Sequence, residues 1–332
     1  MSIDKILGDW KRKIFKPIYW LEGEEEYYIN KLMEYAEHQI LPESEAAFNL
    51  TVFYGKDADW AAVLNACRRY PMFAERQVVL LKEAQQMKDI DKLESYIQNP
   101  LSSTVFVVSY KDKKVDGRSK LSKLLKEKGE LLSTKKLFEN QLPEWIQELV
   151  RSKGYTISQK GLMLLADHIG NDLSRIDNEV DKLSINLGSR KNITEDDIEN
   201  YVGVSKEYNV FELGAALARK DLAKALRIIQ YFEGNPKAGP IQLILPSLYN
   251  FFSKTFMIFG QSGTDDKTIA ANIGVTPYFI KDNILAAKNY GYDKVESALL
   301  LLHEYNLKSI GVNSAPTEDS SLLKELVVKM MF

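Results

Sequence analysis

The fold class this sequence predicts is α/β plus all-α: a parallel-sheet domain followed by two helical domains. Three observations carry it. Up to Lys135, short runs rich in β-branched and aromatic residues alternate with helical stretches. Those runs are almost continuously apolar, as strands buried on both faces are, which points to a parallel sheet with helices on either side. Past Phe138 such runs stop, and apolar residues recur at helical spacing instead.

The chain opens with "MSIDKILGDWKRKIF", amphipathic and charged, without the apolar core of a signal peptide. Strands are predicted at "PIYWLEG" (17–23), "NLTVFYG" (49–55), "RQVVLLKEA" (76–84) and "STVFVVSY" (103–110), with a weaker fifth at "ELLSTK" (130–135). Between them, a helix with Asp57 as N-cap sets Trp60, Leu64 and Cys67 on one face. "KDIDKLESYIQN" and "GRSKLSKLLKEKG" read as two more short helices. This first domain covers 1–138.

The second domain, 139–206, contains no convincing strand. Ser158 starts a helix carrying Leu162, Leu165 and Ile169. Asn171 caps one carrying Leu173, Ile176, Val180 and Leu183. Thr194 and Asp197 make a capping-box-like start for the last. The third domain, 207–332, begins with two helices broken at Lys220–Asp221, the second bearing the stripe Leu222, Leu226, Ile229. A long apolar helix follows Pro240. Helices at "TPYFIKDNILAAKNYG" and "YDKVESALLLLHEYNLKSIG" come next, then a loop and a final helix.

Bulk numbers narrow the function. Lys+Arg is 44 and Asp+Glu is 46, a formal charge of −2, so any nucleic-acid affinity must come from a local patch. The single cysteine, Cys67, excludes an intramolecular disulfide and a Cys-based zinc cluster, and suggests a reducing compartment. The longest apolar run, "IQLILPSLYNFF" (241–252), is too short to cross a bilayer and holds a proline. A cytoplasmic protein with no membrane partner is expected.

An N-terminal parallel sheet invites a search for a nucleotide site. The turn after the first strand, "LEGEEEYYINKL", lies where a phosphate loop would be. A working loop needs a second glycine and a lysine before Ser/Thr to hold phosphates and Mg²⁺. Here Gly23 is followed by Glu24, Glu25 and Glu26, which would repel a triphosphate and suit a helix N-terminus instead. The third strand lacks the acidic pair that holds Mg²⁺ in active ATPases. His38, His168 and His303 fit no metal or catalytic spacing, with His168 beside an apolar helical face, and no G-x-S-x-G occurs. No catalytic residue, no metal and no cofactor is expected.

Two features remain. Lys111, Lys113, Lys114, Arg118, Lys120, Lys123, Lys126 and Lys128 crowd into "KDKKVDGRSKLSKLLKEK". They form either a phosphate-facing patch or a solvated helix with Leu121, Leu124 and Leu125 turned inward. In "RRYPMFAERQVVLL" (68–81), Pro71, Met72 and Phe73 occupy a short connection that would normally be polar. The apolar pair either folds inward or is taken by a partner.

Over nearly its full length the chain resembles the delta-subunit family of the bacterial DNA polymerase III clamp loader. The resemblance lies in the order and spacing of "YWLEGEEEYYI", "YPMFAERQVVLL", "VDGRSKLSKLL", "GNDLSRIDNEVDKL" and "GVTPYFIKDNILAAKNY". It implies an AAA+-like first domain with a degenerate phosphate-loop position at Gly23, Glu24 and Glu25, a helical lid and a helical collar. It implies clamp binding by Met72 and Phe73, with Pro71 holding their loop extended. The sliding clamp (the beta subunit) would be bound and opened so that it can be loaded on primed DNA, without ATP hydrolysis. The chain would be a non-catalytic component of the polymerase III holoenzyme. Implied partners are the clamp, delta-prime, the ATP-hydrolysing tau/gamma-type subunits, and primer–template DNA inside the assembled loader. Lys113, Lys114, Arg118 and Lys120 are the candidate phosphate contacts, with Tyr305 a further DNA candidate. Delta-prime itself fits less well, since its zinc-binding cysteines and Ser-Arg-Cys motif are missing here. The rival readings are another AAA+ clamp-loader-type subunit, which would bind nucleotide at Gly23, and a stand-alone DNA-binding protein using the 111–128 patch.

Overall fold

The computed structural model describes residues 3–138, 141–205, 208–236, 238–261, 265–275, 279–312 and 317–332. The expected domain boundaries at 139 and 206–207, residues 276–278 of the last quoted motif, and 313–316 of the final loop lie outside the described residues.

Five strands form one sheet: β1 (Ile18–Gly23), β2 (Leu50–Tyr54), β3 (Gln77–Lys82), β4 (Thr104–Lys111) and β5 (Glu130–Thr134). The order is β2-β3-β4-β1-β5, and every neighbouring pair is parallel. Each strand falls on a run marked in the sequence. Because side chains alternate along a strand, the apolar runs serve two faces. Ile18, Trp20, Val79, Leu81, Phe106 and Val108 pack on one helical layer, α4 (Trp60–Arg68), α5 (Glu94–Ile97) and α6 (Lys120–Lys128). Tyr19, Leu21, Val78, Leu80, Val105 and Val107 pack on the other, α1 (Ile3–Lys11), α2 (Glu26–His38) and α3 (Glu43–Asn49). This is the parallel sheet covered on both faces that the sequence predicts.

Local details differ from the sequence reading. The N-cap of α4 is Asp59, which accepts from the Ala62 amide, and not Asp57. The Asp57 and Ala58 amides instead close a turn onto the Tyr54 carbonyl. Val63, Leu64, Ala66 and Cys67 form the inward face, while Trp60 is only half-buried, under the Lys92 ammonium. "KDIDKLESYIQN" forms a 3₁₀ turn (Ile90–Leu93) running into the single turn α5.

By its contacts the chain divides into two compact units, Met1–Leu137 and Phe138–Phe332. The second unit begins with α7 (Leu142–Ser152), α8 (Gln159–Ile169), α9 (Leu173–Asn186) and α10 (Glu195–Val202). Ser158 caps α8 as expected, and Thr194 with Asp197 completes a capping box on α10. The cap of α9 is Asp172, one residue past Asn171, because the Asp172 carboxylate accepts from the Arg175 amide. The expectation of no strand is corrected in one place: β6 (Thr156–Ile157) and β7 (Asn192–Ile193) pair in parallel and tie the start of α8 to the start of α10.

The remaining helices are α11 (Val210–Ala218), α12 (Leu222–Gly234), α13 (Ile241–Ile258), α14 (Asp266–Ile273), α15 (Ile280–Ser309) and α16 (Asp319–Met331). The break between α11 and α12 falls at Lys220, whose φ is +54°. α15 is interrupted at Gly291, where φ 72° and ψ 170° separate the two segments predicted there. Leu213, Leu217, Ile228, Ile229, Ile244, Leu248, Leu302 and Leu326 share one core. Among the described residues no helix is long and apolar enough to cross a membrane.

Candidate functional site

The connection between α4 and β3 carries Pro71, Met72 and Phe73. Arg69, the C-cap residue after α4, has its carbonyl accepting a hydrogen bond from the buried Gln77 carboxamide. The Arg69 guanidinium donates to Thr51 Oγ1. Two residues beyond Tyr70, the Met72 amide donates to Asn49 Oδ1 at 2.7 Å, and the Met72 carbonyl accepts from Asn49 Nδ2 at 2.9 Å. Asn49, the last residue of α3, is 3% exposed and also donates to the Glu45 carbonyl. On the far side of the loop, the Arg76 guanidinium lies over the Phe15 ring.

This framework answers whether the apolar pair turns inward. It does not: Met72 is 54% exposed and Phe73 is 99% exposed. Phe73 sits at φ +53°, in the left-handed region that a bulky side chain rarely occupies. Tyr70, two residues before Met72, and Phe48, next to Asn49, are also exposed. Pro71, half-buried, fixes φ just before the pair. Asn49, Phe48 and Tyr70 are absent from the sequence-derived site. Tyr70 lies inside the quoted motif, whereas Asn49 reaches the loop across 23 positions, which no local pattern reports.

The phosphate-loop position lies at the opposite edge of the same sheet. Gly23 has φ +121°, and a Cβ placed there would lie 2.2 Å from the Thr134 carbonyl oxygen. The turn is stitched to β5: the Glu24 amide donates to the Thr134 carbonyl, and the Glu25 amide to Thr134 Oγ1. Glu22, 4% exposed, accepts from Ser133 Oγ at 2.8 Å and from the Val115 amide at 2.9 Å. The Glu25 carboxylate caps α2 by accepting from the Tyr27 amide. Lys111 bridges Glu26 at 3.0 Å and Glu83 at 2.8 Å. Partial burial works against its charge, but the bonds to both carboxylates prevail and hold its pKa above the ordinary lysine value. The amides of Glu24 and Glu25 are therefore engaged with β5, where a phosphate loop would aim its amides at a ligand.

In the basic stretch, Ser119 caps α6, and Leu121, Ser122 and Leu125 face the core with Leu124 half-buried. Lys111 belongs to the carboxylate bridge above. Lys120 lies 3.6 Å from Glu94. Lys113, Lys114 and Arg118 are exposed and, among the described residues, pair with no carboxylate. His38 and His303 are exposed and far apart in sequence. His168 is half-buried, and that burial, aided by Arg175, lowers its pKa despite Glu179. Among the described residues no cluster of His, Cys, Asp and Glu could hold a metal ion. Cys67 is buried, which pushes its thiol far up. Tyr305 is fully buried in the core of the last helices, so the expectation of an exposed DNA contact there is corrected.

Comparison with known proteins bears out the resemblance. Residues 19–135 match the family model described as DNA polymerase III, delta subunit. The chain is similar to DNA polymerase III subunit delta of Bacillus subtilis (strain 168), 26% identical over 323 residues, covering 93% of this chain and 91% of that protein. It is also similar to the probable DNA polymerase III subunit delta of Aquifex aeolicus (strain VF5), 25% identical over 298 residues, covering 84% and 80%. Among solved structures, the Bacillus subtilis DNA clamp loader delta protein shares the fold at a TM-score of 0.57, with 24% identity and 99% of each chain covered.

Proposed function

We propose that this chain, which belongs with the delta subunits of DNA polymerase III in sequence and fold, acts in a replicative clamp loader by binding the ring-shaped sliding clamp. It does so without hydrolysing ATP itself. Met72 and Phe73 are the plug that enters an apolar pocket on the clamp. The observation that carries this is the loop's geometry: an apolar pair exposed to solvent on a backbone held by the buried Asn49 carboxamide. Burying both side chains contributes about 3–6 kcal/mol at most, before the costs of association. That suffices for a two-residue hot spot. Net opening of the ring requires tighter binding to the open clamp than to the closed one.

ATP hydrolysis belongs to tau/gamma-type partners, in keeping with a strand-to-helix turn whose Glu24 and Glu25 amides bond to β5. Residues 139–206 serve as the lid and 207–332 as the collar that joins delta-prime and the other subunits. Lys113, Lys114, Arg118 and Lys120 face the phosphates of primer–template DNA within the loader, and the exposure of the first three supports that role. The whole operates in the cytoplasm.

The test is binding of the isolated chain to its own clamp on a sensor surface, wild type against Met72→Ala/Phe73→Ala. The double variant should bind at least about 100-fold more weakly. Its circular dichroism and melting temperature should match wild type, because both side chains are exposed. A folded double variant that binds as well as wild type would remove the plug from the mechanism.

A further inference from the structure

The plug does not stand on a free loop. Both backbone polar groups of one residue, the Met72 N–H and the Met72 C=O, are taken by the two ends of a single carboxamide. Asn49 can satisfy both only with its oxygen toward the amide and its nitrogen toward the carbonyl, and its remaining N–H goes to Glu45. Asn49 is itself only 3% exposed, so the packing around it holds that orientation. One residue later the chain turns left-handed at Phe73, a strained conformation for a bulky residue that persists only where surroundings hold it. A side chain that is 99% exposed gains nothing in the free protein from that strain.

We propose that Asn49 is a positioning residue for clamp binding: its carboxamide clamps Met72 and holds Phe73 in the left-handed turn, so that the plug is ordered before the clamp arrives. The inference rests on the plug reading above and adds to it a source of preorganisation. Ordering a loop in advance lowers the conformational entropy lost on association, which is where rigid binders gain affinity. The residue acts through the backbone of its neighbour and touches no partner itself. It differs in kind from Gln77, which holds the Arg69 carbonyl but also reaches Thr104 and the Ala66 carbonyl inside the domain, and so serves the fold as well.

The experiment compares full-length wild type, Asn49→Ala and Met72→Ala/Phe73→Ala for clamp binding and for amide exchange at Met72 and in β3. Asn49→Ala is expected to weaken clamp binding by about tenfold with both plug side chains intact. The Met72 amide should exchange faster, while the β3 amides of Val78 to Leu81 keep wild-type protection. A purely structural role would instead lower protection throughout β3. If the plug variant loses binding and Asn49→Ala binds as wild type, the positioning role is overturned and the plug stands. If neither wild type nor any variant binds, or the folded plug variant binds normally, the plug reading fails and this inference with it. Should Asn49→Ala not fold, exchange in the wild-type chain decides: a protected Met72 amide supports the clamp, and an amide exchanging as fast as an open loop overturns it.

Discussion

The two edges of the parallel sheet have opposite surface chemistry. At the carboxyl edge, where β1 ends, charged side chains turn inward and find partners: Glu22 on Ser133 and Val115, Glu25 on the start of α2, Lys111 between Glu26 and Glu83. At the amino edge, ahead of β3, apolar side chains turn outward, and the matched polar atoms belong to the backbone of Met72 and Arg69. A site for a small anion needs open space and unengaged amides. A site for a protein needs exposed apolar side chains on a held backbone. The fold engages the amides at the first place and leaves Met72 and Phe73 exposed on a held backbone at the second, and the proposed plug uses that difference.

The sharpest way to break the comparison at the closed edge is Gly23→Ala. The added methyl would meet the Thr134 carbonyl oxygen at 2.2 Å on a backbone with φ +121°, so either β1 or β5 must move. A loss of about 3 kcal/mol or more in denaturant melts is expected. A variant close to wild type would mean that the turn is loose, and that the closed edge is less closed than its hydrogen bonds imply.

Much of this division was legible in the sequence, for physical reasons that differ by residue. The strands were readable because both faces of the sheet are buried, so that Val78 to Leu81 leave no polar gap. An ill fit of the Gly23 turn to phosphate was expected because Glu24 to Glu26 carry the wrong charge for it; the bonds from the Glu24 and Glu25 amides to Thr134 could not be read that way. The apolar pair was readable as an anomaly, but its direction was not, since that depends on Asn49, remote in sequence. Caps slipped by one or two residues at Asp59 and Asp172, where two acidic or amide side chains compete for one helix start. Tyr305 was misplaced although a pattern was available: Ala298, Leu302 and Tyr305 recur at i, i+4 and i+7, and all are buried.

A smaller effect tests whether the closed edge is held by charge. Lys111 has its pKa raised in the folded state by Glu83 and Glu26, against the pull of partial burial. A raised lysine stabilises fully below its unfolded value of about 10.4, and that contribution fades as pH rises through the higher folded value. Lys111→Met should therefore cost about 1 kcal/mol near neutral pH. The gap to wild type should narrow on alkaline titration above roughly pH 10.4. A gap that stays constant to high pH would assign the effect to packing of the lysine stem and leave the edge closed by neutral hydrogen bonds alone.

The smallest expected effect is the most telling for the open edge, because its sign is unusual. Phe73→Gly removes a side chain that is 99% exposed and places the residue best suited to φ +53° at that position. Relief of the left-handed strain favours the folded state, while the greater freedom of glycine in the unfolded chain offsets part of the gain. The net should lie between no change and about 1 kcal/mol of added stability, read from urea melts. Clamp binding should fall with it, since the plug has lost its ring. Stability rising while binding falls is the signature of a residue kept for a partner at the expense of its own fold. A destabilisation beyond about 1 kcal/mol would show instead that the ring supports its own domain, and the contrast between the two edges would lose its meaning at the residue where it is greatest.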